Sequence, residues 1–317
     1  MISALRTQAD SIVEWMTGAA RATTALSLMR AVIGFASLAL YLRHYTDRGL
    51  FFGPDGVYGQ QGISDYAASI GTFSLYSASS SPVVFELIFH TGIVMALLVM
   101  LGIGGRAVLA AHYVLLWSLY MANPSFMDGG DALTATAIPF LLLTRCHSSF
   151  AVRRRGRERA ESGAVAVCNN TGLLLLAVQV CIVYLMAGLY KVQGDLWQDG
   201  TALYYVLNVP EFFLPGVTPL LMQSDWLPVL GGYATVLVSV FFPALIVFRG
   251  GRIVAVTAML VFHLAIAVLM GLTSFALVMA AYDMLFVNGH IERFRFHVRK
   301  LIGVWLPRPD PDARGGA

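Results

Sequence analysis

Eight stretches of this chain are apolar enough and nearly long enough to cross a bilayer, and that feature constrains its fold more than any other. They lie near 23–42, 82–101, 107–122, 132–145, 170–190, 227–248, 253–270 and 272–287. A hydrocarbon core is crossed by roughly 20 helical residues. Inside it every backbone N–H and C=O must be paired within the segment, which leaves helices as the form such stretches take. Only 12% of the 317 residues are charged, against about a quarter in soluble domains. So few charges cannot clothe a water-facing surface. The expected fold is all-α, a polytopic transmembrane helical bundle of about eight passes.

Charge placement orients the bundle. With the N-terminus inside and eight alternating passes, the cytoplasmic side collects 17 of the 21 cations, including Arg106, Arg145, the run Arg153–Arg159, Arg249, Arg252, Arg293 and Arg295. The outer side keeps Arg43, Arg48 and Lys191, while Arg30 lies inside the first pass. Cations favour the cytoplasmic side. Fusing the last two passes at Gly271-Leu272-Thr273 would leave 11 against 9, almost no bias. Both termini are therefore expected in the cytoplasm of a cell whose inner (plasma) membrane holds the protein.

Three units follow: an interfacial segment at 1–22, a transmembrane domain at 23–290, and a basic tail at 291–317 that turns Pro/Asp/Gly-rich after Leu306. The first unit mixes polar and apolar residues around Trp15 and Met16, without the pattern of a signal peptide. Cys146, Cys168 and Cys181 form no CxxC pair and read as reduced and structural. The arginine run reads as an anchor for anionic membrane lipid; nothing points to nucleic acid, and no metal-ligand spacing is present.

The outer segments, about 43–81, 123–131 and 191–226, hold most of the carboxylates. In the last of them Lys191 stands alone at the end of a pass, followed by Asp195, Trp197, Asp199, Thr201 and Tyr204. A lysine partly withdrawn from water can act as a base. The same residues also suit a snorkelling lysine paired with Asp195 among belt aromatics. The turn Asn123-Pro-Ser-Phe-Met-Asp128-Gly-Gly-Asp131 either caps the following helix or presents its carboxylates to the same outer pocket. Arg30, Glu86, His90, His112, His263 and Asp283 are ionisable residues within passes, where such groups usually face the bundle interior. Glu86 and His90, four apart, share a helix face.

Four stretches together resemble the bacterial members of the horizontally transferred transmembrane (HTTM) domain family, related to the vitamin K-dependent gamma-glutamyl carboxylase. They are Leu28–Gly34 with Phe52–Val57, Asn123–Asp131, Tyr184–Tyr205, and Phe262–Met279. The family lysine falls in an Ala-Gly-x-x-Lys context, matched here by Ala187-Gly188-Leu189-Tyr190-Lys191. The resemblance implies that Lys191 is a base toward a reduced quinone, vitamin K hydroquinone or menaquinol, with O2 and CO2 as co-substrates. Asn123, Asp128, Asp131, Trp197, Asp199, Thr201, Tyr204, His263 and Arg30 are then expected to bind substrate or quinone, on the extracytoplasmic face. The carboxylase has a histidine in the turn where this chain reads Asn123-Pro124-Ser125, and it carries a large lumenal domain; with those departures the resemblance implies quinol oxidation or epoxidation first, coupled to carboxylation or to another proton abstraction on a peptide. The family also includes the sporulation-delaying-protein type of membrane factor, which implies an alternative: a non-catalytic role, with a small partner protein, in maturing or exporting a secreted peptide.

Overall fold

A computed structural model of the chain describes residues 2–152 and 162–301. The arginine run 153–161 and the end of the tail lie outside the described residues. Within them the protein is all helix, with no strand.

Helix α1 (Ile2–Thr17) precedes α2 (Thr23–Arg43), and the short α3 (Arg48–Phe52) and α4 (Gly59–Ser69) follow. Then come α5 (Pro82–Leu101), α6 (Gly105–Ala122), α7 (Gly129–Leu143) and the long α8 (Gly163–Val192). Three short helices, α9 (Asp195–Gln198), α10 (Ala202–Asn208) and α11 (Thr218–Leu221), lead to α12 (Trp226–Leu245), α13 (Arg249–Leu269), α14 (Thr273–Asp283) and α15 (Asn288–Leu301). Among the described residues six segments are long and apolar enough to cross a membrane: α2, α5, α8, α12, α13 and Thr273–Val298, which runs from α14 into α15. The other two expected passes are α6 and the shorter, apolar α7.

The expected bounds shift where capping chemistry overrides hydropathy. Helix α8 begins at Gly163 rather than 170: Ser162 accepts from the Val165 amide and starts it at the short apolar stretch Gly163–Cys168 that precedes Asn169. Its first turns carry Asn169 and Asn170, both fully buried. Asn170 donates to the carbonyls of Trp15, Met16 and Ala19 and accepts from the Arg21 amide, while Asn169 donates to the Arg21 carbonyl and accepts from the Arg145 amide. Two asparagines thus tie α1, the link from α1 to α2, and the 145–150 loop to one end of α8. The eighth expected pass is α14 plus one turn of 3-10 helix, Met284–Val287, and the amphipathic α15 continues from it.

Close packing sets which helices touch. Gly34 of α2 lies so near the Met100 backbone of α5 that a Cβ would overlap it, and Gly188 of α8 stands in the same relation to Val240 of α12. The helix ends sort into two groups. Arg21, Arg106, Arg145, Arg252 and Arg295 gather with the starts of α2, α6, α8 and α13 and the ends of α5 and α7, and this is the basic end. At the acidic end stand the start of α7, the end of α8 and the start of α14, where Arg43 donates to Ser274 (3.3 Å).

Candidate functional site

At the acidic end, Lys191 closes the last turn of α8. Its Nζ donates to the Ala187 carbonyl (3.4 Å) and sits 5.4 Å from the centroid of Trp197, a residue α9 folds back over it. Asp195, at the head of α9, makes no ion pair with it. The lysine is half-buried, whereas Asp199, Thr201 and Tyr204 are exposed along the following segment. Tyr190, Leu189 and Met186 of the same helix are exposed apolar side chains, as a lipid-facing surface requires.

Asn123, Asp128 and Asp131 form the turn between α6 and α7. Asn123 donates to the Phe51 carbonyl (3.2 Å), and its Oδ1 accepts from the Ser125 amide (3.3 Å). Asp128 and Asp131 make a reciprocal capping box, each carboxylate accepting from the other's amide (2.9 and 3.1 Å). Asp131 also accepts from the Tyr120 hydroxyl (2.9 Å). Glycine is required at 130, because a Cβ there would strike the Phe275 backbone at the start of α14. The turn is thereby pinned to α14. Beside it His44, Phe51, Phe52 and Phe126 form an aromatic cluster, with His44 and Phe126 centroids 4.5 Å apart. Glu86 and His90 do pair, at 3.2 Å, and Arg48 joins them at 3.0 Å.

One helical face below Lys191 lies a second cluster. Tyr184 is seven residues earlier on α8, two turns and about 10 Å along the axis on nearly the same face. Its hydroxyl donates to Asp283 Oδ1 (2.8 Å) and lies 2.7 Å from His263 Nε2; His263 Nε2 and Asp283 Oδ2 are 3.7 Å apart. All three are buried. Asp283 Oδ2 and His263 Nδ1 have no hydrogen-bond partner among the described residues. Phe242, Phe262 and Phe275 surround them, and Phe275 is the ring that meets the 128–131 turn.

Arg30 is not part of this end. It is fully buried and spends its five N–H groups on five backbone carbonyls: Cys146 (2.9 Å), Met100 (3.0 Å), Val99 in close contact, Ser149 (3.4 Å) and Phe150 (2.5 Å). Val99 and Met100 end α5, so the guanidinium also meets the negative end of that helix. Arg30 and Lys191 stand at opposite ends of the bundle. A groove of about 520 Å³, lined by Met100, Leu101, Phe150, Val152, Ile291 and Val298, opens near Arg30 rather than Lys191.

The structure thus brings Lys191 to Trp197, Asp128 to Asp131, and His263 to Tyr184 and Asp283. Contact between these groups runs through shared helices and through Phe275. Tyr184 had no signal beyond its place in the Tyr184–Tyr205 stretch, because its partners lie 79 and 99 residues away.

This arrangement occupies the part of the chain that a family model recognises: the HTTM domain matches residues 58–290. The chain belongs to the HTTM domain family. Among its HTTM relatives is the sporulation-delaying protein SdpB of Bacillus subtilis (strain 168), 27% identical over 274 residues, 83% of this chain and 80% of SdpB. Another is the uncharacterised protein YitO of the same strain, 25% identical over 292 residues, 88% of this chain and 90% of YitO. No solved structure matches this HTTM chain. Lys191, the capping box and the buried triad all fall within the HTTM domain.

Proposed function

We propose that this HTTM protein is an integral membrane enzyme of the plasma membrane, with Lys191 as its proton-abstracting group at the extracytoplasmic face, and that an exported peptide is the recipient of its chemistry. The carrying observation is the setting of Lys191. At an end of the bundle rich in carboxylates, its amine has one carbonyl and one indole face and, among the described residues, no ion pair. An amine without a counter-ion is open to a substrate O–H or C–H acid, as a general base must be.

Eight passes with both termini inside accord with this site. Helices α6 and α7 run in the bundle beside the six longer segments, and the arginines described at the basic end support placing that end in the cytoplasm.

A reduced quinone suits the residues around Lys191. The amine would take a phenolic proton, Trp197 offers a flat face, and the exposed apolar side of α8 opens to lipid, where such a molecule dissolves. When bound, the quinol supplies the reducing electrons for oxygen. Lys191 holds and returns the proton, and Trp197 keeps the amine turned along α8. Asn123, Asp128 and Asp131 hold the turn between α6 and α7 in shape while Gly129 and Gly130 set it against Phe275, and Asp199, Thr201 and Tyr204 border the outer approach. Arg30 has no donor left for a ligand.

The test is purified protein in lipid with vitamin K hydroquinone or menaquinol and oxygen, followed by mass spectrometry for quinone epoxide. The expected result is enzyme-dependent epoxide that falls at least about 100-fold in Lys191→Ala. Epoxide at the same level in the folded variant would defeat the reading. The similarity to SdpB supports a second reading, a non-catalytic factor for maturation or export of a secreted peptide. That reading gains if the folded protein forms no epoxide yet is still required for release of the peptide by cells.

A further inference from the structure

The Tyr184–His263–Asp283 cluster does not balance in charge at the usual protonation states. An ionised Asp283 with neutral His263 and Tyr184 would leave one negative charge fully buried between α8, α13 and α14. Its Oδ2 would be bare, with no Lys or Arg in contact among the described residues. Uncompensated charge is the most unfavourable group a low-dielectric interior can hold. A single additional proton abolishes it. We propose that Tyr184, His263 and Asp283 form a buried proton-binding site that holds one shared proton and releases and recovers it during function.

The geometry gives that proton two resting places. Tyr184 has one hydroxyl hydrogen and two neighbours, His263 Nε2 at 2.7 Å and Asp283 Oδ1 at 2.8 Å. With the extra proton on Asp283 Oδ1, the carboxyl donates to Tyr184 and Tyr184 donates to His263. The carboxyl proton can pass to Tyr184 while Tyr184 passes its own to His263. One O–H bond then breaks on Asp283, one N–H bond forms on His263, and tyrosine ends as it began. Both hydrogen bonds reverse and no heavy atom has to move. The resulting imidazolium carries a second N–H at Nδ1, the ring atom left without a partner.

Among the described residues the surroundings are otherwise uncharged. Helix α12 and the 3-10 turn contribute the rings of Phe242 and Phe286, and α13 and α14 those of Phe262 and Phe275. The remaining titratable neighbours are Cys181 on α8 and Tyr282 on α14, whose hydroxyl donates to Gln179 (2.8 Å) and the Leu133 carbonyl (3.3 Å). That the proton is exchanged with Lys191, two turns along α8, rests on the function proposed above; the occupancy of the site does not.

Infrared difference spectra of the protein in lipid vesicles at neutral pH, wild type against Asp283→Asn, test the occupancy. The expected result is the carbonyl band of a protonated carboxyl in the wild type, shifted down in heavy water and absent from the variant. Tyr184→Phe keeps the ring against Phe242 and removes the hydroxyl that accepts from the carboxyl, so the band should move to higher frequency. If Asp283→Asn does not fold, the shift in Tyr184→Phe carries the assignment alone. Carboxylate bands with no imidazolium bands from His263 beside them, or a carboxyl band indifferent to Tyr184→Phe, would overturn the proposal. A band that behaves as expected beside a Lys191→Ala variant with unchanged epoxide yield would keep the proton site and sink the lysine chemistry, so the two fail separately.

Discussion

Arg30 and the Tyr184–His263–Asp283 cluster are both polar groups buried in an apolar bundle, and they are treated in opposite ways. Arg30 has five donors and five carbonyls to receive them. The cluster has three side chains, two short contacts and two polar atoms with no partner. Saturation locks Arg30 in one position and joins α2, α5 and the 145–150 loop into a single unit. Incomplete pairing leaves the cluster able to change its proton count. In a medium where water cannot make up a missing bond, the first pattern belongs to architecture and the second to chemistry.

The sharpest way to break that contrast is Arg30→Met. The substitution keeps an unbranched apolar stem and strips the donors from buried carbonyls at the end of α5 and in the 145–150 loop. A loss of about 3–5 kcal/mol is expected, as when one side of a buried polar network is removed. Thermal or chaotrope unfolding in detergent micelles reads it. Arg30→Lys should recover only part of the loss, since an ammonium has three donors against five. Tyr184→Phe, by contrast, deletes one hydroxyl from a cluster already short of partners. If it destabilises the protein as much as Arg30→Met, saturation is not what separates the two regions.

What the sequence disclosed follows the same division. Apolar runs gave the spanning helices, because burial in lipid is decided residue by residue. The short 132–145 run was legible for the same reason, and capping by the Asp128–Asp131 turn was legible as one of two readings, since both partners lie within four residues; that Asp128 is the N-cap and Asp131 its N3 partner was not. Glu86 and His90 were legible through helical spacing. The partners of Arg30 were hidden, because they are backbone carbonyls that any residue could supply. The pairing of Tyr184 with His263 and Asp283 was hidden because it exists only once α8, α13 and α14 have packed. Asn169 and Asn170, inside an apolar run, carried a signal of the same kind as the ionisable residues of the other passes. The tie they make to α1 could not be read from it.

Asp131 stands between the two regimes and sharpens the comparison at lower cost. It completes the capping box of α7 from the N3 position and accepts from Tyr120, a saturated role, yet it stands at the same acidic end as Lys191. Asp131→Ala should lose about 1–2 kcal/mol through the cap and the orphaned tyrosine. Tyr120→Phe in the same background should add little, because the shared bond is already gone. Should Asp131→Ala instead abolish epoxide formation with stability unchanged, the residue belongs with Lys191 rather than with Arg30.

The smallest effect belongs to His44, which lies just beyond α2 in the aromatic cluster at the acidic end. Burial lowers its pKa below the ordinary 6.5; adjacent Arg43 pushes the same way, and Asp47 opposes. The folded protein therefore binds this proton less readily than the unfolded chain. Stability from a neutral His44 is fully present above about pH 6.5 and is lost as pH falls through the depressed folded value. His44→Phe keeps a ring against Phe126 and cannot titrate. Unfolding midpoints in the variant should decline less between about pH 7 and pH 5 than in the wild type. Equal declines would mean that the aromatic cluster opens to water readily enough to accept a charge. It would then lose its standing as a packed support for the Asn123–Asp131 turn, and the saturated half of the comparison would end at Arg30 and the capping box.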